Sequence, residues 1–184
     1  TEDPEPESVK VTSVTGELML DTGERLFTIN APGAQGMVSY RPVDVYLDDV
    51  ILTTQSEGIS VVAVSMDGLP IRDSSKVLVQ VGTPSRPDGW EEEPGTFEAD
   101  SGVVHEGLRV VSVGRAPWQV EVPVLALIFR DMTFDRAQVL NMNGVPVSDA
   151  PLIAEGANTR LNFPRQAMYV VLTRATPEES AVGG

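Results

Sequence analysis

Short runs of apolar residues, many of them β-branched, follow one another along almost the whole chain. Gly, Pro, Asn or Asp separates each run from the next, and no window of about eleven residues keeps an apolar stripe at helical spacing. The 16 glycines and 14 prolines place turns at the spacing typical of a sandwich or barrel. We therefore expect an all-β protein with the fold of an antiparallel β-sandwich, either jelly-roll or immunoglobulin-like. The predicted strands are residues 9–14, 17–20, 25–30, 50–54, 59–66, 77–81, 108–113, 124–129, 136–140, 159–163 and 167–173.

Two of these runs carry apolar residues on both faces, so neither face is marked as a solvent face. They are residues 60–64 and 124–129, and such strands are typical of the middle of a layered structure. Two residue pairs, Asp67-Gly68 and Asn143-Gly144, have the composition of a type I′ hairpin turn, in which both positions need positive φ.

The excess of acidic over basic residues is concentrated at the two ends of the chain and in one internal segment. Residues 1–7 are predicted to be an acidic, proline-rich tail or linker, and residues 175–184 a flexible C-terminal tail. The simplest organisation is one β-sandwich domain over residues 8–174. The alternative is two small β subdomains that divide near the acidic segment 84–102. Residues 84–95 are expected to form the longest loop of the chain, and long loops are often functional.

The charge balance argues against two classes of partner. With 27 acidic and 13 basic side chains the net charge is −14, and a chain that binds nucleic acid needs a basic stripe. The longest apolar run is also much shorter than the roughly 20 residues of a membrane-spanning helix. The chain has no cysteine, which excludes thiolate metal sites and thiol nucleophiles. We expect no cofactor and no metal site.

No set of catalytic residues stands out. His105, the only histidine, has no serine nucleophile motif to accompany it and is expected at the end of a strand. A site made of carboxylates would need Asp44, Asp48 and Asp49, but adjacent residues of a strand point to opposite faces, so these are expected to be solvated charges. The acidic residues 91–93 are expected on an exposed loop. We therefore predict that the isolated chain is not an enzyme.

The tryptophans give the one specific hint of binding. Trp90 and Trp118 lie near prolines and glycines in segments expected to be loops. An indole ring can stack on the C–H face of a sugar, so both are candidate carbohydrate-binding residues. The competing interpretation is that each ring packs over the end of the core.

Several segments resemble the C-terminal β domain of large secreted bacterial glycoside hydrolases whose catalytic part is a (β/α)8 barrel. The similar segments are residues 16–23, 26–36, 60–70, 74–83 and 88–90, and more loosely 116–121 and 139–144. In that family the catalytic carboxylates belong to the barrel, so the resemblance carries no catalytic residue over to this chain. It implies a secreted or extracellular protein.

The resemblance and the missing catalytic set lead to one functional expectation. The chain is expected to be a non-catalytic accessory domain that packs against a neighbouring catalytic domain of a polysaccharide-degrading enzyme. Two alternatives stay open: a stand-alone carbohydrate-binding module, and a structural or adhesion protein of a virion or cell surface that self-associates through its β-sandwich.

Overall fold

The computed structural model describes residues 8–99 and 102–174, which form sixteen β-strands and contain no helix. The predicted tails 1–7 and 175–184 lie outside the described residues. The strands are β1 (Lys10–Thr12), β2 (Leu18–Asp21), β3 (Leu26–Ala31), β4 (Ala34–Ser39), β5 (Val43–Tyr46), β6 (Val50–Thr54), β7 (Ile59–Ser65), β8 (Lys76–Gly82), β9 (Ser85–Glu98), β10 (Val104–Val120), β11 (Leu125–Phe129), β12 (Arg136–Leu140), β13 (Pro146–Ala150), β14 (Leu152–Glu155), β15 (Asn158–Asn162) and β16 (Tyr169–Thr173). Among these residues no helix is available that could cross a membrane.

The chain divides into two compact units. Among the described residues, unit 1 contains those up to Thr83 and those from Val122 onward, and unit 2 those of the segment Pro84–Glu121. Unit 2 consists of β9 and β10, and unit 1 of the other fourteen strands. Unit 2 is therefore an insertion between two consecutive strands of unit 1.

Unit 1 is built from two sheets in which every pair of neighbouring strands is antiparallel. The larger sheet has the order β1-β2-β3-β4-β7-β8-β16-β12-β13, and the smaller has the order β14-β15-β11-β6-β5. Buried side chains from both sheets form one core, for example Leu52 and Leu127 from the smaller sheet and Val79 and Leu172 from the larger. Each such side chain contributes about 1.5–3 kcal/mol by leaving water. The predicted antiparallel β-sandwich is confirmed.

The two runs with apolar residues on both faces lie at the centres of the two sheets. β7 is the fifth of nine strands, and β11 is the third of five. In β7, Ile59, Val61 and Ala63 are buried in the core, whereas Val62 and Val64 are only half-buried. Apart from Ser60, the second face of the run is apolar as well, and that face lies on the outside of the larger sheet.

Asn143-Gly144 closes the hairpin of β12 and β13, although the turn is not of the expected type. The Gly144 N–H donates to the Asn141 carbonyl at 2.9 Å, and of the pair only Gly144 has positive φ. This geometry corresponds to a type I turn followed by a left-handed glycine. The predicted hairpin is present, and the predicted type I′ geometry is wrong.

Asp67-Gly68 does not form a two-residue hairpin turn, because β7 ends at Ser65 and β8 begins only at Lys76. The Asp67 carboxylate instead organises this long connection by accepting from Ser65 Oγ at 2.9 Å and from the Ser75 N–H at 2.8 Å. Desolvation acts to raise the pKa of Asp67, but the hydrogen bonds outweigh it and hold this pKa well below its usual range.

Candidate functional site

Unit 2 is a two-stranded ribbon, so the prediction of a long loop at residues 84–95 is wrong. β9 and β10 pair from Ser85 opposite Val120 to Glu98 opposite Val104, with two irregularities in the register. β9 is rich in proline, glycine and glutamate, which are poor strand formers, so the sequence pattern did not indicate a strand there. The cross-strand pairing with β10 overrides that local preference.

Both predicted sugar-binding tryptophans lie on this ribbon, within strands and not in loops. Trp118 pairs with Pro87 and is 64% exposed. Trp90 pairs with Val113 and is half-buried, and the Arg86 guanidinium lies 5.2 Å from the centre of its ring. A depression of about 250 Å³ includes Trp90 among its lining residues and not Trp118. The structure therefore does not bring the two rings into one depression, and their role in binding stays a prediction.

The acidic residues Glu91, Glu92 and Glu93 belong to β9, so the expectation of an exposed acidic loop is wrong here as well. Consecutive residues of a strand point to alternate faces, which separates Glu92 from its two neighbours. Glu92 forms an ion pair with Arg86, and Glu93 forms one with Arg109 on the opposite strand. The Arg86 guanidinium, with the Trp90 indole beside it, holds the pKa of Glu92 below its ordinary value.

His105 is the second residue of β10, so it lies at a strand end as expected. Its imidazole stacks on the ring of Phe97, its partner in β9, with the ring centres 5.2 Å apart and the planes at 24°. Next to this pair Gly95 faces Gly107, which leaves a depression of about 440 Å³ between the stacked rings and the ion pair of Arg109.

Asp49 is buried, which contradicts the expectation that it is a solvated charge. It is 4% exposed and lies in the turn that precedes β6. Its Oδ2 accepts from Gln35 Nε2 at 2.8 Å, and its Oδ1 accepts from Arg72 Nη2 at 2.7 Å. Asp44 and Asp48 are exposed. Asp49 therefore has a structural role, because it links the turn before β6 to β4 in the opposite sheet.

The outer face of the larger sheet carries a row of side chains that we call the outer row. Seven adjacent strands each contribute one residue in register. For five of these seven residues, at least one neighbour along the strand belongs to the core. Six intervals of about 4.8 Å make this row roughly 29 Å long. None of its members is charged: Ile29, Val62, Tyr169 and Leu140 are half-buried, Leu18 and Gln80 are exposed, and Gly36 is buried.

A shallow depression of about 220 Å³ lies on the outer row, between Ile29, Val38 and Val62. The described part of unit 1 has only two layers, so this face lies at the surface of the unit. Extended apolar surface of this kind is characteristic of an interaction site in a soluble protein.

Within residues 8–99 and 102–174 no group of three or more His, Asp or Glu residues is placed to hold a metal ion. Comparisons with protein-family models, with curated proteins and with solved structures find no match to this chain. The resemblance to accessory domains of glycoside hydrolases therefore stays a prediction.

Proposed function

We propose that this chain is a non-catalytic accessory domain of a polysaccharide-degrading glycoside hydrolase and that it docks against the catalytic domain. The outer row of the larger sheet carries this proposal, because it offers an uncharged, largely apolar surface across seven strands. Contacts between domains of one polypeptide typically bury about 600–1,500 Å². A face of this width fits such a contact. The family resemblance supplies the identity of the partner.

Replacing Val62 with lysine tests the docking face. Val62 lies at the centre of the outer row and is half-buried, so a lysine there can direct its charged end to solvent in the isolated domain. In the docked state that charge would be desolvated. We expect the dissociation constant for the separately purified catalytic domain of the same polypeptide to rise at least about tenfold, measured by calorimetry.

Ile153→Lys is the matched control, because Ile153 is an apolar strand residue on the smaller sheet and is 41% exposed. It should leave the affinity for the catalytic domain unchanged. Equal affinities for the two variants would refute docking through the outer row. Hydrolysis of polysaccharide by the purified chain alone, or a coding sequence without a neighbouring glycoside hydrolase domain, would refute the accessory role itself.

As a second candidate function we propose a structural role in which the ribbon of unit 2 pairs with the ribbon of a second copy. A single two-stranded ribbon is at best marginally stable in water. This one exposes Leu108 by 65% and Val113 by 69%. The facing glycines Gly95 and Gly107 leave a notch beside Phe97, and a β-carbon at either glycine would meet only ordinary contacts of 3.5 and 3.7 Å. The ribbon itself therefore does not need glycine there, whereas a closely approaching second chain would.

In a two-fold arrangement the Phe97 ring of each copy can enter the glycine notch of the other. We therefore expect a dimer in sedimentation velocity at about 1 mM, the concentration at which a contact of about 4 kcal/mol is half formed. Phe97→Asp should abolish the dimer, whereas Met142→Asp, on an exposed turn of unit 1, should not. A monomeric wild-type protein at this concentration would eliminate the second candidate.

A further inference from the structure

A depression of about 400 Å³ lies on the smaller sheet, on the side away from the core. Thr53 of β6, Ala126 of β11 and Asn162 of β15 are register partners on three adjacent strands, and all three line it. The small side chain of Ala126 at the central strand forms the low point between its two neighbours. The volume of the depression lies within the range of about 300–1,000 Å³ typical of small-molecule sites.

The charge of this depression is opposite to that of the chain. Acidic residues outnumber basic ones by 27 to 13 in the whole sequence. The ten residues that line the depression include two arginines, Arg160 and Arg165, and none of the ten is acidic. Asn162 and Gln55 add two amide side chains to the lining. An otherwise acidic protein thus presents two guanidinium groups in one place.

The two arginines are held differently. Arg160 is held in position, because its Nε donates to Asn162 Oδ1 at 3.0 Å and its Nη1 lies 3.5 Å from Glu155 Oε1. Arg165 lies on an exposed turn that is closed by a hydrogen bond from the Ala167 N–H to the Pro164 carbonyl at 3.1 Å. Within the described part of the chain the Arg165 guanidinium makes no hydrogen bond or ion pair. All of its donors are therefore available to a ligand.

We propose that this depression binds a saccharide that carries an anionic group, either a carboxylate or a sulfate. Guanidinium groups bind such groups through paired, charge-assisted hydrogen bonds. The apolar lining, which includes Val124 and Ala126, suits the C–H face of a sugar ring, and the amides of Gln55 and Asn162 suit its hydroxyl groups.

An acidic peptide fits this surface less well, because the strands beneath it have no free edge. β11 pairs with β6 and β15, β6 also pairs with β5, and β15 also pairs with β14. An extended peptide therefore cannot add main-chain hydrogen bonds to these strands, which is the recurring way in which a sheet edge binds a peptide. A ligand here must be recognised by side chains alone.

This inference goes beyond the proposed function and does not depend on it, since it concerns the smaller sheet and the docking face belongs to the larger. The test is calorimetric titration of the whole chain with trigalacturonate, with a sulfated carrageenan disaccharide, with cellotetraose and with hexaglutamate. We expect at least one of the two anionic saccharides to bind about tenfold or more tightly than cellotetraose and hexaglutamate. Sodium chloride at about 0.5 M should weaken the binding, because it screens exposed charges.

Arg165→Ala should weaken binding of the preferred saccharide about tenfold without changing the melting temperature, because Arg165 makes no contact that the fold needs. Arg136→Ala is the control, since Arg136 is paired with Asp149 on the larger sheet. It should leave binding unchanged. The proposal is overturned if neither anionic saccharide binds, if hexaglutamate or cellotetraose binds equally well, or if Arg165→Ala has no effect. In each of these outcomes docking through Val62 can still be measured separately.

Discussion

Replacing Gln35 with leucine is expected to lower the free energy of unfolding by about 3 kcal/mol. Gln35 is 1% exposed and lies in β4 of the larger sheet. Its Oε1 accepts from the Asp49 N–H at 2.9 Å and from the Val50 N–H at 3.1 Å, and its Nε2 donates to Asp49 Oδ2 at 2.8 Å. Leucine fills a similar volume but leaves two backbone donors and one carboxylate oxygen without these partners inside the protein.

Gln80→Leu is the matched control for this prediction. Gln80 lies in β8 of the same sheet, but its side chain is exposed on the outer face. Its replacement should change stability by less than about 0.5 kcal/mol. Urea unfolding measured by circular dichroism gives both values, and equal midpoints for the two variants would show that the buried network does not hold the sheets together.

The strands that could be predicted from the sequence are those in which side-chain pattern and strand propensity agree. The runs that became β7, β8, β11 and β16 are rich in valine, isoleucine and leucine, and they form the middle of the sandwich. The strands β4, β5, β9, β13 and β14 were not predicted. β4 contains Gly36 and the buried polar residues Gln35 and Ser39, so its pattern does not show which face is buried.

Of unit 2, the sequence predicted only residues 108–113 of β10 as a strand. The rest could not be predicted because its strand structure depends on pairing between two segments. β9 contains Pro87, Pro94, Gly89 and Gly95, each of which argues against a strand when judged locally. The hydrogen-bonded pairing with β10 stabilises the extended conformation, which these residues do not favour on their own. Because of this pairing, Trp90 and Trp118 lie in the strands of the ribbon and not in the predicted loops.

The depression with two arginines also could not be predicted from the sequence. Its lining combines Thr53, Ala126, Asn162 and Arg165, which are far apart along the chain. Only the register of three strands places the first three side by side. The charge pattern showed that the acidic excess is concentrated in a few segments, but not that two basic residues meet on one sheet. A site that depends on the register between strands can therefore be recognised only when the structure is known.

The second large effect is expected at Gly36, where alanine should lower the free energy of unfolding by about 3 kcal/mol. A β-carbon there would lie 2.3 Å from the Val61 carbonyl oxygen and 2.9 Å from the Val62 Cα, both of them backbone atoms of the neighbouring strand β7. Backbone inside a paired sheet cannot move aside as the end of a flexible side chain can. The β4 and β7 strands would have to separate at the centre of the larger sheet.

Gly33→Ala separates this steric effect from the general effect of removing a glycine. A β-carbon at Gly33 would meet no atom within 4 Å. Alanine there should leave stability unchanged within about 0.5 kcal/mol or raise it slightly, because it restricts the unfolded chain. Thermal unfolding of both variants gives the comparison, and a Gly36→Ala protein as stable as Gly33→Ala would show that β4 can shift. Gly36 also belongs to the outer row, so a shift of β4 would deform the proposed docking face as well as the core beneath it.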